Sequence, residues 1–535
     1  MSTSLSRFVK RHKTKLLFFL ILLLAVLLRV QYLDKSLQKD ESPFFHLAEN
    51  LYAKGSTIHL EKYLFDGSEL VKSLSRSPLF AIYLSQVVRV FSLNEVALRL
   101  SMVIPSVLTV VLMYFVGTTI GDKKLGLLSA FLLAISRLHV EHSQIIDTDG
   151  SILTFLTLLS VFFLLKLWKS DKSKYLVLSS ITIAAAFLVK EPILLIFPPL
   201  FLYYFQKRNL TDFFAILALS MAISIVSLLI FGYFYSTDFL AYFIRWINGF
   251  VFHRAANVQY YQGRIYQYVG ISIWDLTLPF IILFIFSIFH AFKSQNAFKF
   301  LAFFSIVFLA FNTLIMGITK YHVPIIPIMC LLVANFILNS RIFNKKTIPI
   351  ILLLTILLFT SFYLLRIRTD ATFLIETKAN LRLILIPFVL PIAPLLLYFT
   401  SHKKLALLVL FGMLIGYNVY FAQEAVNPLV SPDYGKVSTN AANFIIANAT
   451  NGPVVTNQDI AFYSNKPFYD ILAPFMSVQY LENLIKQNTT VYVVYRTDIV
   501  IVQQSIKEFL DSNCQKIGSK VSRNVEVFKA YKCSQ

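Results

Sequence analysis

Charged residues are scarce in this 535-residue chain: Asp, Glu, Lys and Arg make up 14% of it, whereas 57% of the residues are hydrophobic. The mean hydropathy is +0.68. The apolar residues form blocks of roughly 18–23 residues, the length needed to cross a hydrocarbon core about 30 Å thick. This composition excludes an ordinary soluble globular protein and predicts a polytopic membrane protein.

The apolar blocks also lack the short alternating pattern of membrane β-strands. We therefore expect helices, which satisfy their backbone polar groups within each segment. About thirteen spans are expected from block length. They cover residues 15–33, 98–120, 124–140, 150–168, 174–190, 192–206, 213–235, 270–291, 298–317, 322–338, 347–365, 381–399 and 403–421. The first follows "RFVKRHKTK" and has no small-residue cleavage site, which predicts a retained anchor.

Acidic residues are the scarcer charge, since 28 Asp and Glu stand against 49 Lys and Arg, for a formal net charge of +21. The basic residues gather in alternate short loops, among them "GDKK", "KSDKSK", "QKR", "HAFK", "SRIFNKK" and "SHKK". Alternation of this kind is the positive-inside pattern of cytoplasmic loops. It explains the charge without nucleic acid and predicts a cytoplasmic N-terminus, with everything beyond residue 421 outside.

Two domains are expected from the change in composition along the chain. Residues 1–424 form the membrane domain, with outer loops at 34–97, 139–149 and 236–269. Residues 425–535 are less apolar and alternate strand-like and helix-like patterns. They predict a soluble extracytoplasmic α/β domain.

Cysteine is rare, with three residues in the chain, and two of them, Cys514 and Cys533, fall in the expected outer domain. The segment "CQKIGSKVSRNVEVFKAYKC" predicts two strands around a turn at 522–525, which would place these cysteines opposite each other. Disulfides form in such oxidising compartments, and one closing a loop of this size stabilises by roughly 3 kcal/mol. The alternative is two unpaired thiols.

The segment "KDESPFFH" places Asp40 and Glu41 just after the first apolar block. Ser42 suits an N-cap and Pro43 the first helical turn. An interfacial helix on the outer leaflet is predicted by one apolar stripe, Phe44, Leu47, Ala48 and Leu51. The helix N-terminus favours negative charge, so both carboxylates should stay ionised. By itself the pair fits an acidic helix start as well as a catalytic site.

Other polar residues are expected on the same outer face. In "RLHVEHSQIIDTDG", Asp147 and Asp149 have a D-x-D spacing that lets two carboxylates share a divalent cation, or lets one join a hydrogen-bond network; the alternative is a solvated loop. Lys190 in "LVKEP" either snorkels or contributes to a site. Further ionisable residues predicted on this face are His46, Arg76, His139, Lys320 and His322. Acids and bases thus converge at one side of the membrane.

Several of these segments together resemble one family. They are "LRVQYLDKSLQKDESPFFHLAENL", "RSPLFAIYLSQVVRVFSLNEVALRL", "ISRLHVEHSQIIDTDG", "LVKEP" and "KYHVPIIP", in this order over most of residues 29–340. The family is the membrane-integral glycosyltransferases of GT-C fold that use polyprenyl-phosphate sugars, typified by dolichyl-phosphate-mannose protein mannosyltransferases and lipid A aminoarabinose transferases. No single segment is specific, but the ordered set is.

The resemblance implies roles for individual residues. Asp40 would be the catalytic carboxylate, assisted by Glu41 and Asp149. Donor phosphate would be bound by Lys190, Lys320 and Arg76, and supporting positions would be His46, Asp147, His139 and His322. Two departures are that the family often has Arg at the position of Asp147, and "HPPL" in place of "RSPL" at 76–79.

The expected function is inverting transfer of a sugar from a polyprenyl (dolichyl) phosphate to a protein, glycan or lipid acceptor, with Asp40 as base. Membrane lipids are expected partners and nucleic acid is not; a divalent metal is possible through Asp147 and Asp149 but is not required. One alternative is an oligosaccharyltransferase, whose Trp-Trp-Asp-x-Gly motif has no counterpart beyond residue 421. Another is a transporter. Transporters tend to have repeated halves and ionisable residues near the bilayer midplane, whereas this sequence shows no internal repeat and the acidic residues of the candidate site fall in the expected outer loops. A structural scaffold would need no such cluster.

Overall fold

The computed structural model describes residues 2–31, 33–34, 41–54, 64–65, 69–70, 77–92, 94–235, 278–312, 319–339, 437–449, 452–456, 460, 468–471, 477–488, 490–496, 504–522 and 525–534. Three expected spans, 347–365, 381–399 and 403–421, lie outside the described residues, as does the expected outer loop 236–269.

The described residues up to 339 are mostly helical. The helices are α1 (Ser2–Arg29), α2 (Ser42–Lys54), α3 (Pro78–Phe91), α4 (Glu95–Ile120), α5 (Lys123–Ala134), α6 (Arg137–Glu141), α7 (Ser151–Ser170), α8 (Ser173–Val189), α9 (Phe197–Gln206), α10 (Leu210–Tyr235), α11 (Leu278–Phe292), α12 (Asn296–Phe311) and α13 (Ile326–Asn339). Three 3-10 helices cover His142–Gln144, Glu191–Ile196 and Thr319–Ile325. Two short strands, β1 (Leu64–Phe65) and β2 (Glu69–Leu70), pair antiparallel. Each expected span up to residue 338 contains one of these helices.

Four described helical segments are long and apolar enough to cross a membrane: Glu95–Ile120, Ser151–Ser170, Leu210–Phe234 and Lys320–Asn339. Shorter apolar helices are Pro78–Phe91, Ser173–Val189, Leu283–Phe292 and Asn296–Phe311. The total of about thirteen spans, which rests on block length, stays a prediction.

The expected contact between the α2 stripe and the outer leaflet is wrong. The helix does begin at Ser42, but Leu47 and Ala48 are fully buried. The stripe packs against α3, with the rings of Phe44 and Phe80 edge to face at 5.1 Å. α3 has only 14 residues and is too short to be predicted as a membrane span. The apolar stripe of α2 by itself does not distinguish a protein partner from lipid.

The membrane core is built around α4, which packs against both α5 and α7, while α7 packs against α8. α4 and α5 cross at two glycines: a Cβ on Gly117 would lie 2.6 Å from the Cα of Gly126. α5 ends at Ala134, earlier than the expected span 124–140. The Arg29 guanidinium donates to the Ala134 carbonyl at 3.0 Å and to the Leu133 carbonyl at 3.3 Å, so it supplies side-chain donors to the carbonyls at this helix end.

The C-terminal region contains one five-stranded sheet. Its elements are α14 (Val437–Asn448), β3 (Val454–Thr456), β4 (Phe468–Asp470), α15 (Val478–Gln487), β5 (Thr490–Arg496), α16 (Gln504–Asn513), β6 (Gln515–Ser522) and β7 (Val525–Ser534). The strand order is β4-β3-β5-β7-β6. β3 is parallel to β4 and β5, whereas β7 is antiparallel to β5 and β6.

Alternate residues of β5 serve two hydrophobic cores, as the two-residue period of a strand requires. Val491 and Val493 pack with α15 and α16, and Val494 packs with α14 on the other face. Strands β6 and β7 form the expected hairpin, and Cys514 and Cys533 form a disulfide at its open end.

Candidate active site

The connection between α5 and α7, residues 135–150, is buried although it is rich in polar residues. Loops usually run over the surface, because their backbone and side chains need hydrogen bonds. The buried polar side chains here are His139, His142, Ser143, Gln144, Asp147, Thr148 and Asp149. Each must therefore find a partner inside the protein, and the partners define the site.

Asp147 closes a tight turn within this loop. Its Oδ1 accepts the Gly150 backbone N–H at 2.7 Å, and its Oδ2 lies 3.2 Å from His142 Nδ1. A Cβ on Gly150 would stand 2.5 Å from the His142 carbonyl oxygen and 2.8 Å from Asp147 Oδ1. The turn therefore requires glycine at 150, and both oxygens of Asp147 are occupied by its own loop.

Asp149 faces a different element. Lys190, at the C-terminus of α8, donates from Nζ to Asp149 Oδ2 at 2.5 Å. The Lys190 ammonium also lies 4.2 Å from the centre of the Tyr321 ring. Asp149 Oδ1 is buried and has no hydrogen-bond partner among the residues that the structure describes. One oxygen of Asp149 is thus available to a ligand.

The third element of the site is the 3-10 helix Thr319–Ile325. It carries Tyr321, the half-buried Lys320 and the buried His322. The positive charge of Lys320 acts on Asp147 and Asp149. Two lysines and two carboxylates from three separate segments therefore share one electrostatic environment.

The pKa values of the two carboxylates in this cluster are shifted in opposite directions. Burial raises the pKa of Asp149, and the charge of Asp147 adds to the rise while Lys190 opposes it. Burial would also raise the pKa of Asp147, but the hydrogen bond and charge of His142 outweigh it, so the pKa of Asp147 is lowered. Burial would lower the pKa of His142, yet the hydrogen bond and charge of Asp147 dominate and raise it. The contact between His142 and Asp147 thus favours the charged form of each partner.

Glu41 is tied to the same loop by a buried clamp. Its carboxylate accepts two bonds from Arg99 of α4, from Nε at 3.1 Å and from Nη2 at 2.8 Å. Glu41 Oε1 also accepts the backbone N–H of Ile146 at 3.1 Å, and Arg99 Nη1 donates to the Leu33 carbonyl at 2.9 Å. Both charged side chains are fully buried. The clamp joins the end of the first span, α4 and the Asp147–Asp149 turn.

Arg29 provides a second connection between α1 and the loop. It donates from Nε to Ser106 Oγ at 2.9 Å and from Nη2 to His139 Nδ1 at 2.8 Å. Because a guanidinium only donates, His139 is assigned as neutral with its proton on Nε2. Gln144 Nε2 in turn donates to the carbonyl oxygens of Arg29 and Gln31, at 2.9 and 2.7 Å.

The structure brings together four of the residues expected in the site, Asp147, Asp149, Lys190 and Lys320. Of the other expected residues, Glu41 is bonded to Arg99 and His139 to Arg29. His322, which follows Tyr321 in the sequence, is buried. Asp40 and Arg76 lie outside the described residues, and so does the side chain of His46 in α2.

Four participants went unnoticed as site residues in the sequence: Arg29, Arg99, His142 and Tyr321. The two arginines carried a usable signal, because a charge inside an apolar block must be paired. His142 carried none, since its partner Asp147 becomes apparent only once the turn is folded.

Metal binding by the D-x-D pair finds no support in this geometry. In the described part of the chain no group of three or more His, Cys, Asp or Glu residues could hold a metal ion. Asp147 has both oxygens engaged, and Asp149 faces an ammonium group that a cation would have to displace. Within the described residues, this pair does not fit a resident divalent metal.

Sequence comparison finds a family match in the first half of the chain. Residues 75–231 match the family described as dolichyl-phosphate-mannose-protein mannosyltransferase. A relative from Aquifex aeolicus, an uncharacterized protein, is 25% identical over 345 residues. That alignment covers 63% of this chain and 65% of the Aquifex protein, so it spans less than two thirds of the relative.

Solved structures show the fold over almost the whole chain. ArnT from Cupriavidus metallidurans bound to undecaprenyl phosphate superposes with a TM-score of 0.64 at 14% identity, covering 97% of this chain and 98% of that one. The oligosaccharyltransferase AglB from Archaeoglobus fulgidus, in complex with an inhibitory peptide and a dolichol-phosphate, gives 0.53 at 12% identity, covering 91% and 70%. The resemblance predicted from the sequence is confirmed: this chain has the GT-C fold of the integral membrane, lipid-phosphate-dependent glycosyltransferases and matches the protein mannosyltransferase family over residues 75–231.

Proposed function

We propose that this protein is a membrane glycosyltransferase that moves a sugar from a polyprenyl (dolichyl) phosphate to a protein, glycan or lipid acceptor. The observation that carries the proposal is the cluster of the buried Asp149 with the half-buried Lys190, Tyr321 and Lys320, in a chain with the GT-C fold. Buried cations are costly unless they meet anions. A lipid phosphate is an anion that the ammonium groups of this cluster suit.

The reaction is a single displacement at the anomeric carbon. A base removes the proton of the acceptor hydroxyl, and the acceptor oxygen forms the new bond to the sugar. The bond between the anomeric carbon and the phosphate oxygen breaks, and its electron pair leaves with the phosphate. Lys190 and Lys320 stabilise the negative charge that develops on that phosphate. Inversion needs one base and not the two-carboxylate arrangement of retaining hydrolases.

Asp40 is the proposed base and Glu41 a positioning residue. Both oxygens of Glu41 already accept bonds from Arg99, and one also accepts the Ile146 N–H. Such a carboxylate is poorly placed to receive a further proton. Asp40, the residue directly before Glu41 in the chain, is the carboxylate that the family resemblance assigns to this role. The clamp would hold this segment against the Asp147–Asp149 turn.

Asp149 has the proposed role of orienting Lys190 and contacting substrate. Its Oδ2 accepts from the Lys190 ammonium, while Oδ1 is buried without a partner in the described part of the chain. Because buried carboxylate oxygens are normally hydrogen-bonded, a sugar or acceptor hydroxyl is a suitable partner for Oδ1.

The proposed orientation has a cytoplasmic N-terminus, with residues 1–424 as the membrane domain and 425–535 as the extracytoplasmic domain. The alternating basic loops and the disulfide support it. In intact cells, an impermeant thiol reagent should label Asn457→Cys and leave Lys124→Cys unlabelled; Cys330, the free cysteine, is buried. The reverse labelling pattern would reject the orientation.

The structural match to AglB keeps an oligosaccharyltransferase as the second candidate, since the fold is compatible with both. Two observations favour the first. The match covers 98% of ArnT but 70% of AglB, and the chain has no Trp beyond residue 421 for a Trp-Trp-Asp-x-Gly motif.

Gene disruption followed by mass spectrometry of the lipid-linked sugars tests the proposal. We expect one polyprenyl-phosphate sugar to accumulate, which would also identify the donor. A lipid-linked oligosaccharide accumulating instead would favour the second candidate. An unchanged pool of lipid-linked sugars would reject both.

A further inference from the structure

Asp147 presents an electrostatic problem for a site that binds a phosphate. It adds a buried negative charge next to Asp149, in the cluster that contains Lys190 and Lys320. Like charges within a few ångströms repel strongly in a poorly hydrated environment. Unless this charge is neutralised, it opposes the binding of an anionic ligand.

His142 is held beside Asp147 by the shape of the turn. The 3.2 Å contact between Nδ1 and Oδ2 is reinforced by the Gly150 N–H on the other carboxylate oxygen. There is no space for a Cβ at Gly150, because the His142 carbonyl oxygen and the Asp147 carboxylate occupy it. The hydroxyl of Thr154 donates to the Gly150 carbonyl and fixes the turn to α7.

The charged groups around His142 come from three elements. Asp147 in the turn and Glu141 in α6 favour the imidazolium, whereas Lys320 in the 3-10 helix disfavours it. His139 of α6 is close enough for the His142 charge to act on it, but burial and the charge of Arg29 favour its neutral form. Burial and Lys320 oppose the imidazolium, but the two carboxylates prevail, so the pKa of His142 is raised.

We propose that His142 is a positioning residue that neutralises Asp147 and locks the turn presenting Asp149 to Lys190, so that the site can accept a lipid phosphate. This inference rests on the proposed function. It assigns to Asp147 no contact with substrate. It makes a specific claim about charge: the site tolerates Asp147 because His142 is there, and it tolerates the loss of both charges better than the loss of His142 alone.

Binding of undecaprenyl phosphate to the purified full-length protein in detergent tests the claim. His142→Gln leaves Asp147 unneutralised and should weaken binding roughly tenfold or more, the effect of one nearby unit charge. Asp147→Asn retains an oxygen for the Gly150 N–H and should not weaken binding. The double variant His142→Gln/Asp147→Asn should bind within a few-fold of the wild type.

A merely structural role gives a different pattern. If His142 only supports the fold, the double variant should be at least as impaired as His142→Gln, and that result would overturn the proposal. Equal binding by wild type and His142→Gln would overturn it as well. The matched control is His290→Gln, a histidine at the end of α11, which should bind as the wild type does.

The proposed function fails separately, because it concerns the wild type alone. Wild-type protein that binds undecaprenyl phosphate but shows no difference among the variants contradicts the role of His142 and leaves the proposed function standing. Wild-type protein that binds neither undecaprenyl nor dolichyl phosphate contradicts the proposed function, and with it this inference.

Discussion

The loop 135–150 and the hairpin 514–534 are stabilised in opposite ways. In the hairpin, neighbouring strands pair residue by residue, and the disulfide joins cysteines 19 positions apart. In the loop, Ile146 bonds to Glu41 across 105 positions, His139 to Arg29 across 110, and Gln144 to Arg29 across 115. One region is fixed by strand pairing and a disulfide, and the other by bonds to distant side chains and carbonyls.

This difference separates a structural element from a site. The hairpin is stabilised within its own sheet, because β7 pairs with β6 on one side and with β5 on the other. Arg29 of α1 reaches the loop at His139, and Arg99 of α4 reaches it through Glu41, which accepts the Ile146 N–H. Changes in those helices should therefore alter the chemistry of a loop that they do not belong to.

The largest effect is expected from Arg99→Leu. It leaves the Glu41 carboxylate buried without its cation, and breaking a buried pair in this way costs about 3–5 kcal/mol. The thermal unfolding midpoint in detergent should fall sharply. Arg89→Leu, the exposed arginine of α3, is the matched control. An unchanged midpoint for Arg99→Leu would show that the clamp contributes nothing to the fold.

The hairpin provides the contrasting case. Cys514→Ser/Cys533→Ser removes the disulfide, and for a loop of this size the C-terminal region should lose roughly 3 kcal/mol of stability. Sugar transfer at low temperature should be retained, because the site draws on none of these residues. Loss of sugar transfer in a double variant that still folds would show that the hairpin and the site are coupled.

A comparison of Asp40 and Glu41 sharpens the account within the site. Asp40→Asn cannot accept the acceptor's proton, so transfer should fall by about 100-fold or more, with donor binding preserved. Glu41→Gln keeps the oxygen that accepts the Ile146 N–H and should cost less in kcat. The reverse order, with Glu41→Gln the more damaging to kcat, would transfer the role of base to Glu41.

The smallest expected effect is a pH dependence of stability from His142 and Asp147. The raised pKa of His142 stabilises the fold fully below about pH 6.5, its unfolded value, and this contribution is lost as pH rises through the folded pKa. The lowered pKa of Asp147 stabilises above about pH 4 and is lost as pH falls through its folded value.

The free energy of unfolding should therefore be highest between these limits and decline on the alkaline side. In His142→Gln this alkaline decline should be absent. If wild type and variant decline equally, groups other than His142 cause the dependence.

Local patterns in the sequence were sufficient for much of the fold. Apolar block length located α4, α7, α8 and α10 within a few residues, and the cysteine spacing with its turn gave the hairpin. The α2 helix followed from Ser42 and its stripe. The partner of the stripe did not, because α3 is short and lies in what the pattern described as a loop.

The sequence predicts which residues belong to the site better than it predicts the contacts between them. Asp149, Lys190 and Lys320 were singled out because ionisable residues at the ends of apolar blocks are unusual. The pairing of Asp147 with His142, and of Glu41 with Arg99, depends on which helices become neighbours. Residue spacing contains no information about that, since Glu41 and Arg99 are 58 positions apart.

The central claim is that this protein uses a lipid-phosphate sugar as donor. The most direct test mixes purified protein with membranes from cells in which its gene is disrupted, since those membranes contain the unused donor and acceptor together. We expect release of free polyprenyl phosphate, measured by mass spectrometry, with wild-type protein and its loss with Asp40→Asn. Wild-type protein that releases no polyprenyl phosphate from these membranes would contradict the account.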